Sequence, residues 1–193
     1  YLERFVATCH PSIISYDNYS LMDDGTVRDS YWTNLEAVRA AARKHDLEFW
    51  NIVLSAAHFS YRELNAADYR FQVYTTLAYG GRGISYFTYF APATGNYRMA
   101  PIDQFGNQTP TWYYMQNANL QIQKLAPTLL QLTSDSVYHF GQIPPGASGP
   151  STNSAYQPSL QASNITLPAS MPGCRVRPGQ ATGSGCHSSL ALS

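Results

Sequence analysis

Two rhythms of apolar and polar positions take turns along the first 140 residues. "SIISYD" at 12–17 concentrates β-branched and aromatic residues and ends on an Asp-Asn pair, which predicts a strand. "YWTNLEAVRAAARKH" at 31–45 switches to helical spacing, with Leu35, Val38 and Ala42 on one face. Arg43, Lys44 and His45 fall in its last turn, where positive charge suits the helix dipole. "EFWNIVLSA" at 48–56 is a short apolar run of strand type, and "NAADYRFQVYTTLAYGG" at 65–81 is again helical. Asn65 is placed to cap that helix, Asp68 lies in its first turn, and Gly80-Gly81 stop it. "GISYFTYF" at 83–90 predicts a third strand. "TWYYMQNANLQIQKLAPTLLQL" at 111–132 predicts a last helix, with Met115, Ile122, Leu125, Leu129 and Leu132 on its core face. Pro127 is expected to kink or split it. Residues 1–9 read as the end of a preceding helix.

Strand and helix therefore alternate three times, which predicts an α/β fold with a parallel sheet and right-handed crossovers. The strands recur about every 35 residues, close to the roughly 31 that an eightfold barrel of ordinary length gives each unit. Three units fit, not eight. The expected architecture is a partial (β/α)8 TIM barrel of about three C-terminal βα units. A lone sheet of this size leaves both edges unpaired. Either an N-terminal half outside the chain or a second chain must complete it. The chain opens on Tyr1 rather than Met, and the expectation is that a segment precedes it.

Composition divides the chain near Gly141. Residues 142–193 contain no Asp or Glu, carry full charge only at Arg175 and Arg177, and are rich in Pro, Gly, Ser and Ala. An irregular tail or linker is expected there. A linker, an arm packed on the barrel, and an out-of-frame translation of GC-rich DNA all remain open for it. The domain division is 1–141 and 142–193.

Charge narrows the function classes. The 193 residues carry formal net charge zero and only 12% charged residues, against 13% aromatics. Without a basic excess, neither nucleic acid nor an anionic membrane is an expected partner. No apolar stretch approaches the roughly 20 residues of a membrane helix. Cys9, Cys174 and Cys186 form no metal-binding spacing; Cys174 and Cys186 could pair across their loop, leaving Cys9 free. No GxGxxG, Walker or GxSxG pattern occurs, and "GGRG" at 80–83 precedes a strand where a phosphate loop would follow one. No metal and no cofactor are expected. The sequons at Asn18, Asn107 and Asn164 matter only in a glycosylating pathway.

"ISYDNYS" (14–20), "FWNIVLSAAH", "ELNAADYRFQVYTTLAYGGRGISYFTYFAP" and "YRMAPIDQFGNQTPTWYYMQNANLQIQKLAPTLL" together carry a resemblance. Over residues 1–141 the chain resembles the C-terminal part of glycoside hydrolase barrels of the β-galactosidase-like, clan A type. Its most specific portion is "FQVYTTLAYGGRGISYFTYF" with the following "PID..G..TPT". The resemblance implies that the strands are the sixth, seventh and eighth of a (β/α)8 barrel. It implies hydrolysis or binding of a carbohydrate, with a β-galactoside as the leading substrate. It also places the acid/base on strand four, absent here, and the nucleophile at the end of strand seven. That strand ends "LSAAH", without an acid. Glu63, on the following loop, is the available substitute. An extracellular or periplasmic setting is favoured.

Strand alternation then places the chemistry. Ser15 and Asp17 share one face, Asn51, Val53 and Ser55 another, and Ser85, Phe87 and Tyr89 a third. These more polar sets are expected to face the lumen, while Ile14, Ile52 and Leu54 pack under helices. Asp17, Ser55 and Tyr89 would stand together at the mouth, with Tyr16, Tyr19 and His58 in adjoining loops. Aromatic faces suit the C–H face of a sugar ring, and a carboxylate accepts from its hydroxyls. Asp17 and Glu63 are the candidate catalytic carboxylates; Tyr16, Tyr19, Ser55, His58, Tyr86 and Tyr89 are the candidate substrate contacts. Glycosidases hold their two carboxyl groups roughly 5–5.5 Å apart when retaining and 6.5–9.5 Å when inverting. Each residue also has a plainer role: Asp17 and Asp103 as turn formers, the tyrosines as core, His58 as a loop residue, Glu63 as a helix-entry charge. Two alternative functions stay open: a non-catalytic carbohydrate-binding fragment, and a small α/β assembly domain.

Overall fold

A computed structural model describes residues 1–139, 142–149, 174–175 and 186–192. Helix α1 (Leu2–Cys9) leads into strand β1 (Ile13–Asp17), helix α2 (Ser30–Lys44), strand β2 (Glu48–Leu54), helix α3 (Ala66–Ala78), strand β3 (Gly83–Phe87) and helix α4 (Pro110–Leu129). Strand β4 (Leu132–His139) follows at once, and short strands β5 (Cys174–Arg175) and β6 (Cys186–Leu192) come later.

Strands β1, β2 and β3 form one sheet in chain order, and both pairings are parallel. The chain is thus α/β with alternating strand and helix units. Why each helix forms is visible in its residues. α2 buries Tyr31, Trp32, Leu35, Val38, Ala41 and Ala42, an apolar stripe at helical spacing. α3 begins in a capping box: the Asn65 side chain accepts from the backbone N–H of Ala67 and Asp68, and Asp68 accepts from the Asn65 N–H in return. α4 starts with Pro110, whose missing N–H costs nothing at a first helical position. It continues unsplit through Pro127 to Leu129.

The core lies on one side of the sheet. Ile14 and Phe49, paired in register, pack with Tyr31, Trp32, Leu35, Val38 and Tyr79. A second cluster joins Leu21, Leu54, Leu64, Tyr69 and Met115 near the far end of the strands. Among the described residues no helix covers the opposite face. Ser15 and Asp17 are exposed there, and the Trp50 indole, 40% exposed, lies across Gly83. A Cβ at Gly83 would stand 2.3 Å from the indole, so only glycine admits this contact.

Two expectations require correction. Asn51 and Val53 do not face an open lumen: both are buried, and Asn51 donates to Thr76 Oγ1 of α3 at 2.7 Å. Every position of "EFWNIVL" is either apolar or flanked by apolar residues, so alternation could not choose its faces. The last helix also stops before Leu132, and residues 132–139 form β4 in a second sheet, ordered β4–β6–β5. In that sheet β4 and β6 run parallel and β5 is antiparallel to β6, so the tail contains strand where irregular chain was expected. The side chains of Cys174 and Cys186, and with them the expected pairing, lie outside the described residues.

Three arginines, two on α2 and one just before β3, hold β4 and the end of α4. Arg39 donates to the Asp135 carbonyl, Arg43 to the Ser134 and Asp135 carbonyls, and Arg82 to the Leu129 and Leu132 carbonyls at 2.7 Å each. Further along, Val137 and His139 are buried against α2 and α3, where Tyr79 Oη and His139 Nε2 are 3.0 Å apart. Burial among Trp32 and Tyr79 pushes the His139 imidazole below its ordinary pKa.

Candidate functional site

Parallel strands aligned in register deliver their C-terminal ends to one edge of the sheet. Asp17 closes β1 there with its carboxylate exposed. Two residues later the chain turns, and Tyr19 folds back beside it. The Tyr19 phenol is pushed well above its usual pKa, first by burial, then by the charge of Asp17 and a hydrogen bond to it. The phenol therefore stays neutral beside the Asp17 carboxylate. Tyr19 stacks on Phe87, the last residue of β3, with ring centroids 5.8 Å apart and planes inclined by 24°.

His58 is the hub beneath this pair. It is buried, and its Nδ1 lies 2.8 Å from the Ala56 carbonyl. A carbonyl only accepts, so Nδ1 carries a proton. The imidazole stacks on Tyr97 at 5.1 Å and meets Tyr19, Tyr61 and Phe87 edge-on at 5.5, 5.0 and 5.4 Å. Arg28 sits over the Tyr61 ring at 5.1 Å, a cation–π contact. Tyr61, Tyr97, Phe87 and Arg28 escaped sequence reasoning as site residues. Three of them lie on loops, where no periodicity marks a direction; only the density of aromatics after each strand pointed to them.

The remaining expected residues separate into two groups. Tyr89 lies two residues past the end of β3, 51% exposed, with its hydroxyl accepting from Trp112 Nε1 at 3.1 Å. Glu63 is exposed on the loop before α3, 3.4 Å from Arg98 Nε. Tyr19, His58 and Phe87 thus gather at the strand end that Asp17 closes, while the side-chain contact of Tyr89 is with Trp112. Ser55 stands at the same end but is fully buried: its N–H donates to the Phe87 carbonyl at 2.8 Å and its Oγ to the Thr88 carbonyl at 2.9 Å. It ties β2 to the end of β3 and presents no free hydroxyl. Tyr16 was expected in a rim loop. It belongs to β1 and points under the helices beside Phe49, where burial drives its phenol pKa up. Tyr86 likewise faces α3 and α4. Its hydroxyl donates to Asn119 Oδ1 at 2.6 Å, and burial raises its pKa to about 12. Asp103 accepts from the backbone N–H of Phe105 and Asn107 at 2.9 and 2.8 Å, the expected turn geometry. The Asn107 N–H bond leads the contacts that hold its carboxyl below the ordinary range.

The arrangement offers an exposed carboxylate that can accept from hydroxyls, framed by aromatic rings. Among the described residues no group of three His, Cys, Asp or Glu side chains is placed to hold a metal ion, and no helix is long and apolar enough to cross a membrane. Comparison with protein-family models and with curated proteins finds no match to the chain.

Proposed function

We propose that this chain is a carbohydrate-acting unit of glycoside hydrolase type, holding a glycan at the C-terminal ends of β1, β2 and β3. The observation that carries this reading is the Asp17–Tyr19–Phe87 group: an exposed carboxylate beside a stacked aromatic pair, at the ends of parallel strands. Asp17 orients the sugar through its hydroxyls, Tyr19 and Phe87 meet its apolar face, and Tyr89 bounds the subsite. The bare sheet face supports the further reading that β1–β3 are neighbouring staves of a larger barrel. Parallel sheets bury both faces, and here α2 and α3 cover only one. An upstream half or a second chain would supply the rest, together with the acid absent from the end of β2.

Isothermal titration with galactose and β-linked galacto-oligosaccharides tests the binding site. Asp17→Ala should weaken affinity by at least about tenfold, the scale of losing one or two hydrogen bonds to a charged group. A folded Asp17→Ala protein with unchanged affinity would remove the role assigned to Asp17. Glu63 favours a second reading. Its contact with Arg98 gives it a structural partner. On that reading the unit binds sugar without cleaving it. Release of nitrophenol from a nitrophenyl β-galactoside, abolished by Glu63→Gln, favours hydrolysis; affinity without turnover favours binding alone.

A further inference from the structure

Phe59 is displayed in a way that the fold does not require. Its phenyl ring is 76% exposed, so it adds little to the core. Its backbone sits at φ 47, a left-handed conformation that side-chain-bearing residues adopt only when the surroundings hold them there. The holding group is Asn96. The Phe59 N–H donates to Asn96 Oδ1 at 2.9 Å, and Asn96 Nδ2 donates back to the Phe59 carbonyl at 3.3 Å. One amide thus grips both backbone groups of a single residue 37 positions away.

The next two residues grip the same loop. Tyr97 stacks under His58, and Arg98 exchanges backbone hydrogen bonds with Ala57 at 2.8 and 2.9 Å. The Arg98 side chain donates to the Tyr61 carbonyl at 3.1 Å. Consecutive residues 96, 97 and 98 therefore fix the backbone of residues 57–61, and the visible product is an aromatic ring standing in solvent on a held backbone. That ring meets His58 edge-on at 5.3 Å, and His58 meets Tyr19 at 5.5 Å. Phe59 thus stands two ring contacts from the Asp17–Tyr19 group, within the span of a short oligosaccharide.

We propose that Phe59 is the platform of a second sugar subsite, stacking on the C–H face of a pyranose one ring beyond the one held at Asp17 and Tyr19, with Asn96 acting as a positioning residue through the Phe59 backbone. The inference rests on the carbohydrate reading of the rim. It assigns preference for chains of two or more rings over monosaccharides. Preorganisation explains the costly backbone: a loop already held loses little backbone freedom when the sugar arrives.

The test titrates wild type, Phe59→Ala, Phe59→Trp and Asn96→Ala with galactose and with β-linked galactobiose and galactotriose, with circular dichroism as the check on folding. Phe59→Ala should weaken the di- and trisaccharide at least tenfold and change galactose affinity less than twofold. Phe59→Trp, keeping a stacking face, should retain within about threefold of wild-type affinity for the longer sugars. Asn96→Ala should lose longer-chain affinity in the same direction as Phe59→Ala while still binding galactose. Equal affinities of wild type and Phe59→Ala for galactotriose, or a parallel loss for galactose, overturn the second subsite and leave the first standing. Failure of wild type to bind any of the three sugars overturns both.

Discussion

Removing the carboxylate of Asp68 should loosen the rim as well as the fold. Asp68 is buried, its side chain 6% exposed, and one oxygen accepts from Arg62 while the other accepts from the Asn65 N–H at 3.1 Å. Arg62 in turn donates to the Gly25 carbonyl at 3.1 Å, and its N–H donates to the Leu21 carbonyl at 3.0 Å. The Asp23 N–H donates to Ser60, closing the same seam between the loops after β1 and β2. Asp68→Ala strands the Arg62 guanidinium, whose Nε is already buried without a partner. Breaking a buried pair typically costs 3–5 kcal/mol. The Arg62 side chain is 25% exposed, so water reaches it and about 2 kcal/mol is the better figure for this pair. The lost return bond of the capping box adds about 1 kcal/mol. Together these give about 3 kcal/mol, or a urea midpoint lower by about 1.5 M at a typical slope of about 2 kcal/mol per M. Urea unfolding followed by tryptophan fluorescence reads this directly. A cycle with Arg62→Met should return a coupling of about 2 kcal/mol. A loss below about 1 kcal/mol for Asp68→Ala, or near-additivity in the cycle, would falsify the assignment of the seam to this pair.

Further outcomes follow from other parts of the fold. His139 is buried with its pKa depressed, so its contribution to stability is complete above its unfolded value near 6.5 and is lost as pH falls through the folded value. Unfolding measured from pH 7.5 to 5 should show an acid-side decline that His139→Gln flattens; the same slope in both proteins would refute the role. Gly83→Ala drives a methyl into the Trp50 indole and should cost about 1–3 kcal/mol, with a shifted Trp emission. Trp50→Ala in the same chain should recover most of that loss, and a neutral Gly83→Ala would disprove the contact. Tyr79 and Tyr86 are both raised to about 12 by burial, and Tyr16, Tyr31 and Tyr69 higher still. Ultraviolet titration should therefore show a class of tyrosines that ionises only above pH 11; ionisation of all fifteen near pH 10 would contradict their burial.

Periodicity revealed the elements better than it revealed their faces. The stripe of α2 and the capping box of α3 were legible because each uses a distinctive residue at a fixed offset: Leu35 with Val38 and Ala42, Asn65 with Asp68. β2 was legible as a strand but not in phase. Asn51, its one polar interior residue, looked lumen-facing until its bond to Thr76 supplied a reason to be buried. β4 was hidden because "LTSDSVYH" is mostly polar and follows a helix ending in leucines. Its period-two pattern shows only in the burial of Val137 and His139. Of the candidate site, Asp17 and Tyr19 were readable from one strand end, since a turn after β1 must carry them there. Tyr61, Tyr97 and Phe59 depend on two loops meeting across 37 residues, which no local pattern encodes.

The attachment of β4 has a consequence for how this protein tolerates change. Arg39, Arg43 and Arg82 reach carbonyl oxygens of residues 129, 132, 134 and 135, groups that every amino acid possesses. Most of the grip therefore asks nothing of the gripped side chains, apart from Asp135, which also pairs with Arg43 at 3.5 Å, and Ser134, whose Oγ donates to the Ala78 carbonyl at 3.2 Å. Sensitivity is concentrated in the three guanidinium groups, where even lysine, lacking the planar fork, is a poor replacement. A saturation library over these positions should show a permissive column at the exposed Thr133 beside three intolerant ones at the arginines.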